Sequence, residues 1–292
     1  MCDERTFRES MEHLERSGKL TRRDFGTLSA GAGLAVLLPQ VANAQEVTEN
    51  EVDVQTPDGV ADGYFVHPSA GAHAGVIIWP DIMSVRPAFR QMGRRLAESG
   101  YSVLVVNPYY RVTRAPVVPE GATMAQDETR ATVFPLAGTL SAQTNISDAH
   151  AFVDFLDSQP SVDTGRKIGT MGYCMGGPIT MRTAAAVPER IGAGASFHGG
   201  GLVTDALNSP HLLIPNMQAQ YLFAIAANDD ADEPEVKDVL RERFAEAGLA
   251  AEIEVYEDTL HGWCPPDSHV YSEPQAERAW TRLLALFETA LA

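Results

Sequence analysis

Three cysteines in 292 residues are too few to build a disulfide scaffold, and none of them stands in a Cys-x-x-Cys pair that would suit thiol-disulfide exchange. Basic charge is scarce as well. Only 22 Lys and Arg face 39 Asp and Glu, and the resulting charge of −17 argues against nucleic acid or an anionic membrane as a partner. The sequence has no internal repeat, no low-complexity tract and no Gly/Ser linker. It also lacks a recognisable metal-ligand spacing. The acidic loop Asp229-Asp230-Ala231-Asp232-Glu233 is without the Gly and the closing Glu of a calcium site, so neither metal nor cofactor is expected.

A membrane anchor is the next absence. The weakly apolar run from Thr27 to Leu38 is shorter than the roughly 18 to 20 residues that span a bilayer, and Ser29, Gly31 and Gly33 interrupt it. Thr21-Arg22-Arg23-Asp24-Phe25 ahead of it is a twin-arginine pattern, and Ala42-Asn43-Ala44 behind it offers a small-x-small cleavage site. Residues 1–44 therefore read as a removable Tat signal, with the Tat export machinery as a partner and a periplasmic or secreted product beginning near Gln45. Six basic and six acidic residues leave with the signal, so the balance stays at −17. The remaining 248 residues, 292 less 44, suit one α/β domain over residues 45–292. Cys2 departs too, leaving Cys174 and Cys264; a bridge between these two would place a structural crosslink in a strand-to-helix turn, an odd position for one.

What is present alternates strand and helix. Val52 to Thr56 and Ala61 to Val66 alternate around Pro57-Asp58-Gly59 and predict a hairpin. Gly75-Val76-Ile77-Ile78-Trp79 and Ser102 to Val106 are continuous apolar strands of the buried parallel kind, and Phe89, Met92 and Leu96 space a helix between them at roughly 86 to 99. Residues 107–140, rich in Pro, Arg and Thr, read as a long loop or short lid. Further strands are expected at Ile168 to Tyr173, Ile191 to Phe197, Gln220 to Ala226 and Glu252 to Tyr256. Helices are expected at Asn145 to Leu156, Pro178 to Ala186, Glu235 to Ala247 and Gln275 to Leu291. This is the pattern of a doubly wound, mostly parallel sheet with helices on both faces.

The organising stretch is Ile168 to Gly177, an apolar strand running into Gly172-Tyr173-Cys174-Met175-Gly176. A Gly-x-Cys-x-Gly turn holds its central residue in a strained conformation at the end of a strand, and its glycines let strand and helix approach closely. The thiol of Cys174 would act as a nucleophile if a histidine or the helix N-terminus favoured its thiolate. Asn228-Asp229-Asp230 follows one later strand and His261 follows the next, giving the chain order nucleophile, acid, base. His261 would take the thiol proton, and Asp229 would fix its tautomer and stabilise the imidazolium. Asp230 sits one residue too late to be the better acid. A core cysteine, a solvated acidic loop and a surface histidine are the plainer readings of each residue alone.

Gly-Tyr-Cys-Met-Gly-Gly together with the late Asp229 and His261-Gly262-Trp263 resembles the dienelactone hydrolases, α/β-hydrolases that carry cysteine in place of serine. The resemblance covers essentially the whole chain after the signal and implies Cys174, Asp229 and His261 as the triad. Asp81-Ile82-Met83-Ser84 resembles the family's Glu-Ile-Phe-Gly loop, whose acid lies beside the resting thiol, which implies a substrate-binding role for Asp81 and an oxyanion hole from the N–H groups of Ile82 and Met175. Asn107-Pro108-Tyr109-Tyr110-Arg111 resembles Pro-Asp-Leu-Tyr-x-Arg, whose arginine meets the substrate carboxylate, and so implies substrate contact by Arg111. Trp263 and Cys264 are further candidates for the pocket wall, with core packing the plainer reading of both, and His198 is a candidate for its rim. The sequence departs from the family at Pro265, where a second carboxylate-binding arginine is expected. The implied activity is hydrolysis of a small-molecule ester or lactone through a thioester, without cofactor. The competing reading is an idle α/β-hydrolase scaffold used for binding.

Overall fold

A computed structural model describes residues 38–292; Arg22-Arg23 and most of the run after them lie outside the described residues, as does the expected signal up to residue 37. The described strands form one eight-stranded sheet in the order β1-β2-β4-β3-β5-β6-β7-β8. They are β1 (Val47–Thr56), β2 (Gly59–Pro68), β3 (Gly75–Trp79), β4 (Ser102–Val106), β5 (Ile168–Tyr173), β6 (Ile191–Phe197), β7 (Gln220–Ala226) and β8 (Ala251–Tyr256). The β1-β2 hairpin joins antiparallel to β4, and the other neighbours are parallel. This is the α/β-hydrolase class of sheet. The hairpin strands run further than the residues 52–56 and 61–66 expected from alternation, because the polar start of β1 still pairs in register with the end of β2.

The period of two along each strand sorts the core onto two faces. Val76 and Ile78 of β3 pack with Val103 and Val105 of β4 on one face, beneath Phe89 and Met92 of helix α1 (Pro87–Glu98). Ile77 and Trp79 pack with Leu104 and Val106 on the other. Pro87 opens α1 at a position where no N–H is needed, and Gly100 at φ +100° ends it.

The stretch from 107 to 140 is more ordered than expected, since it contains helix α2 (Asp127–Ala137). Helix α3 (Ala142–Asp157) follows, closed at its start by a reciprocal cap between Ser141 and Thr144. Helix α4 (Gly176–Ala186) leaves the end of β5 directly. After β7 come α5 (Ala227–Asp232) and α6 (Val236–Glu246), and the described chain closes with α7 (Glu273–Ala290). Leu283 and Phe287 of α7 join the face of α1, whereas Phe152 of α3, Ile179 of α4 and Phe244 of α6 cover the other. Helices thus cover both faces. Among the described residues no helix is long and apolar enough to cross a membrane.

Candidate active site

Cys174 stands at the carboxyl end of β5 with φ +53°, a left-handed conformation that a β-carbon makes costly. Close packing enforces it. A Cβ on Gly172 would lie 2.2 Å from the carbonyl oxygen of Gly176, and one on Gly176 would lie 2.3 Å from that of Trp79. The two glycines therefore let the turn fold back on itself and rest on the end of β3. The Cys174 N–H donates to the Phe197 carbonyl at 3.0 Å, and the residue is 1% exposed.

Two neighbouring strand ends bring His261 and Asp229 together. Asp229 lies in the first turn of α5, and its two carboxylate oxygens stand 3.0 and 2.9 Å from His261 Nδ1. The backbone N–H of His261 donates to Asn228 Oδ1 at 2.8 Å, so adjacent side chains grip both the ring and the main chain of His261. Thr259 ties the same two loops: its Oγ1 accepts from Ala227 N–H at 3.2 Å and donates to the Tyr256 carbonyl at 2.6 Å. Asp230 points elsewhere, into an ion pair with Lys237.

Behind His261 lies His198, at the end of β6. It is 1% exposed with φ +40°, and its ring centre is 5.1 Å from that of His261 in an edge-to-face arrangement. Neither of its ring nitrogens has a hydrogen-bond partner among the described residues. Burial, reinforced by the neighbouring His261, holds its pKa well below the ordinary histidine value, so this ring is neutral. His198 is a wall against the His261 ring, a closer relation than the rim position expected.

The loop after β3 carries the other half of the site. The hydroxyl of Tyr109 donates to the Ile82 carbonyl at 2.9 Å and lies 3.2 Å from Met175 Sδ, which fixes the Ile82 loop beside the Cys174 turn. Among the described residues neither the Ile82 nor the Met175 amide donates to another acceptor. Asp81, expected to face substrate, is instead clasped by the buried Arg86, at 2.7 Å to Oδ1 and 2.9 Å to Oδ2, and its Oδ1 also accepts the Met83 N–H. The same guanidinium reaches Asp267 at 2.6 and 3.0 Å. Burial alone would lower the Arg86 pKa, yet the two aspartates raise it above its ordinary value.

Two other expected substrate contacts are placed differently. Arg111 donates to Asp148 at 2.9 and 2.7 Å and to Asp58 at 3.0 and 2.6 Å, with its guanidinium 4.5 Å above the Tyr110 ring. Its donors are committed to two carboxylates already present. Trp263 is 0% exposed and stacks on Tyr256 at 4.8 Å, so it belongs to the core rather than the pocket wall. Cys264 is a free, buried thiol, which rules out the bridge to Cys174, and burial raises its pKa well above normal. It borders a cavity of about 20 Å³ between α1 and α7 together with Met92, Tyr173 and Trp280. Among the described residues no group of three or more His, Cys, Asp or Glu is placed to hold a metal ion.

The sheet order, the turn at Cys174 and the residues at the ends of β7 and β8 define an α/β-hydrolase. The sequence profile of the dienelactone hydrolase family matches residues 61–291. The chain belongs to that family and is a hydrolase of ester or lactone type. It is 25% identical to a carboxymethylenebutenolidase of Rhodococcus opacus over 232 residues, covering 78% of this chain and 86% of that protein. A carboxymethylenebutenolidase of Pseudomonas putida is 25% identical over 237 residues, with 80% and 93% covered. The fold is also similar to that of a dienelactone hydrolase-like promiscuous phosphotriesterase from metagenomic libraries, at TM-score 0.69 and 21% identity over 84% of this chain and 99% of that one.

Proposed function

We propose that the protein hydrolyses carboxylic esters or lactones with Cys174 as nucleophile, His261 as base and Asp229 as the acid that orients it. The carrying observation is the bidentate approach of Asp229 to His261 Nδ1, at 3.0 and 2.9 Å, on the strand ends that follow the strained Cys174 turn. That contact supports a proton on Nδ1, which leaves Nε2 for the role of base. Cys174 is disulfide-bonded in this structure, so the reaction starts from its reduced thiol: His261 takes the Sγ proton, and the thiolate adds to the substrate carbonyl. The negative charge on that oxygen is held by the N–H groups of Ile82 and Met175. Collapse breaks the carbon–oxygen bond, the alcohol leaves with the proton from His261, and a thioester remains. His261 then deprotonates a water, which releases the acid and restores the thiol.

We further propose that the protein works outside the cytoplasm after removal of residues 1–44 by the twin-arginine route. The test of the mechanism is the Cys174→Ala variant, assayed with reductant against p-nitrophenyl acetate. Turnover is expected to vanish while the melting temperature holds, and iodoacetamide should label the reduced Cys174, with His261 to take its proton, ahead of Cys264, whose thiol burial pushes well above the usual pKa. Retained turnover in the variant would refute the assignment of Cys174, whereas no turnover by the wild type would favour an idle scaffold.

A further inference from the structure

We propose that the site selects uncharged esters and lactones with an apolar acyl group and rejects substrates that carry a second carboxylate. This rests on the thiol-hydrolase reading and adds the substrate class to it.

The first observation is the cluster in which the oxyanion-hole residues sit. Ile82 packs with Val118 and Val133, and Val117, Phe134 and Met175 pack against them while remaining partly exposed. Val133 and Phe134 belong to α2, and the Tyr109 hydroxyl joins Ile82 to Met175. A carbonyl held by the amides of Ile82 and Met175 therefore lies against an apolar wall supplied largely by the 107–140 segment. Burying aliphatic carbon there is favourable, and burying an unpaired charge there is not.

The second observation is the state of the arginines in the loops that surround this wall. Arg86 is shared by Asp81 and Asp267, and Arg111 by Asp58 and Asp148, so each of these two guanidiniums carries two carboxylates and an excess negative charge, while Arg130 of α2 pairs with Asp127 and donates to the Met124 carbonyl. A substrate carboxylate would have to displace an aspartate already in place. Arg182 of α4 donates to Asn145 at 3.4 Å rather than to a carboxylate, but it lies seven residues past Met175, about 10 Å along the helix.

Methyl hexanoate and monomethyl adipate separate the two demands, because in the second a carboxylate replaces the far methyl group at equal chain length. The mature protein should hydrolyse methyl hexanoate with kcat/KM about a hundredfold higher, the scale of an unpaired carboxylate placed against apolar groups. Phe134→Lys, at the partly exposed edge of the wall, should narrow that gap by raising the adipate rate. Binding to Cys174→Ala, followed by calorimetry, reports the selectivity without turnover and should show the same preference. Equal or better binding or turnover of the adipate would overturn the proposal, as would the absence of measurable hexanoate binding. Hexanoate preference by the Cys174→Ala protein, with no turnover by the wild type, would support the substrate class and refute the thiol-hydrolase reading instead.

Discussion

Replacing Asp229 with Asn removes a charge while leaving the shape of the side chain nearly unchanged. Both carboxylate oxygens lie within 3.0 Å of His261 Nδ1, and the Asp229 side chain is 20% exposed, so solvent screens the pair only in part. A hydrogen bond to a charged group is worth about 1.5 to 3 kcal/mol, and the imidazolium that forms when Cys174 gives up its proton would lose that support. At 1.36 kcal/mol per factor of ten, kcat should fall about 10- to 150-fold, with the upper end favoured because an amide also permits the wrong tautomer. Asp230→Asn is the matched control. It breaks only the partly exposed pair with Lys237, worth up to about 1 kcal/mol of stability, and should leave kcat within about twofold. The assay is the initial rate on p-nitrophenyl acetate beside circular dichroism and a thermal melt of each variant. Equal losses in the two variants, or a loss explained by unfolding, would refute the assignment of Asp229.

Stability should fall with acid. Burial holds His198 and His269 below the ordinary histidine pKa, so under pH 6.5 the unfolded chain takes up protons that the native chain resists, and the stability present above that pH is lost by up to about 1.4 kcal/mol per pH unit for each histidine. Denaturant melts between pH 7.5 and 5.5 should show this slope, reduced in His198→Phe; an unchanged slope in that variant would contradict the neutral state of His198. Amino-terminal sequencing of the exported protein should begin near Gln45, whereas a soluble cytoplasmic product that keeps Met1 would contradict export.

The sheet was legible because its central strands are continuous apolar runs bounded by breakers, as at Val76 to Trp79 before Pro80. Two helices were not. In α2 only Thr129, Val133 and Leu136 are buried and Pro135 interrupts the last turn, so no apolar stripe announces it. The residues of α5 are Ala-Asn-Asp-Asp-Ala-Asp, none of them buried, which reads as a solvated loop although its first turn carries Asp229. The sequence could single out Cys174, Asp229 and His261 as candidates because each follows a strand with a recognisable apolar pattern. Asn228 was visible only as the neighbour of an acid, and nothing in the sequence marks it as the acceptor for the His261 main chain.

Ion pairing is where local sequence says least. Arg111 stands in a stretch that resembles a substrate-binding pattern, yet its partners are 53 and 37 residues away, and their reach is fixed by the hairpin turn and by α3 rather than by anything beside the arginine. Arg86 carries no signal at all, being the residue before Pro87 at the start of α1. Its two partners nonetheless lie on the Ile82 loop and on the loop that follows His261, 181 residues further along. Removing both aspartates would leave a buried guanidinium without a counter-charge, a change that costs about 3 to 5 kcal/mol where it has been measured for buried pairs. One side chain therefore couples the loop that carries Ile82 to the loop that carries His261. The distance between the proposed oxyanion hole and the proposed base is then a property of the folded chain, set before any substrate arrives.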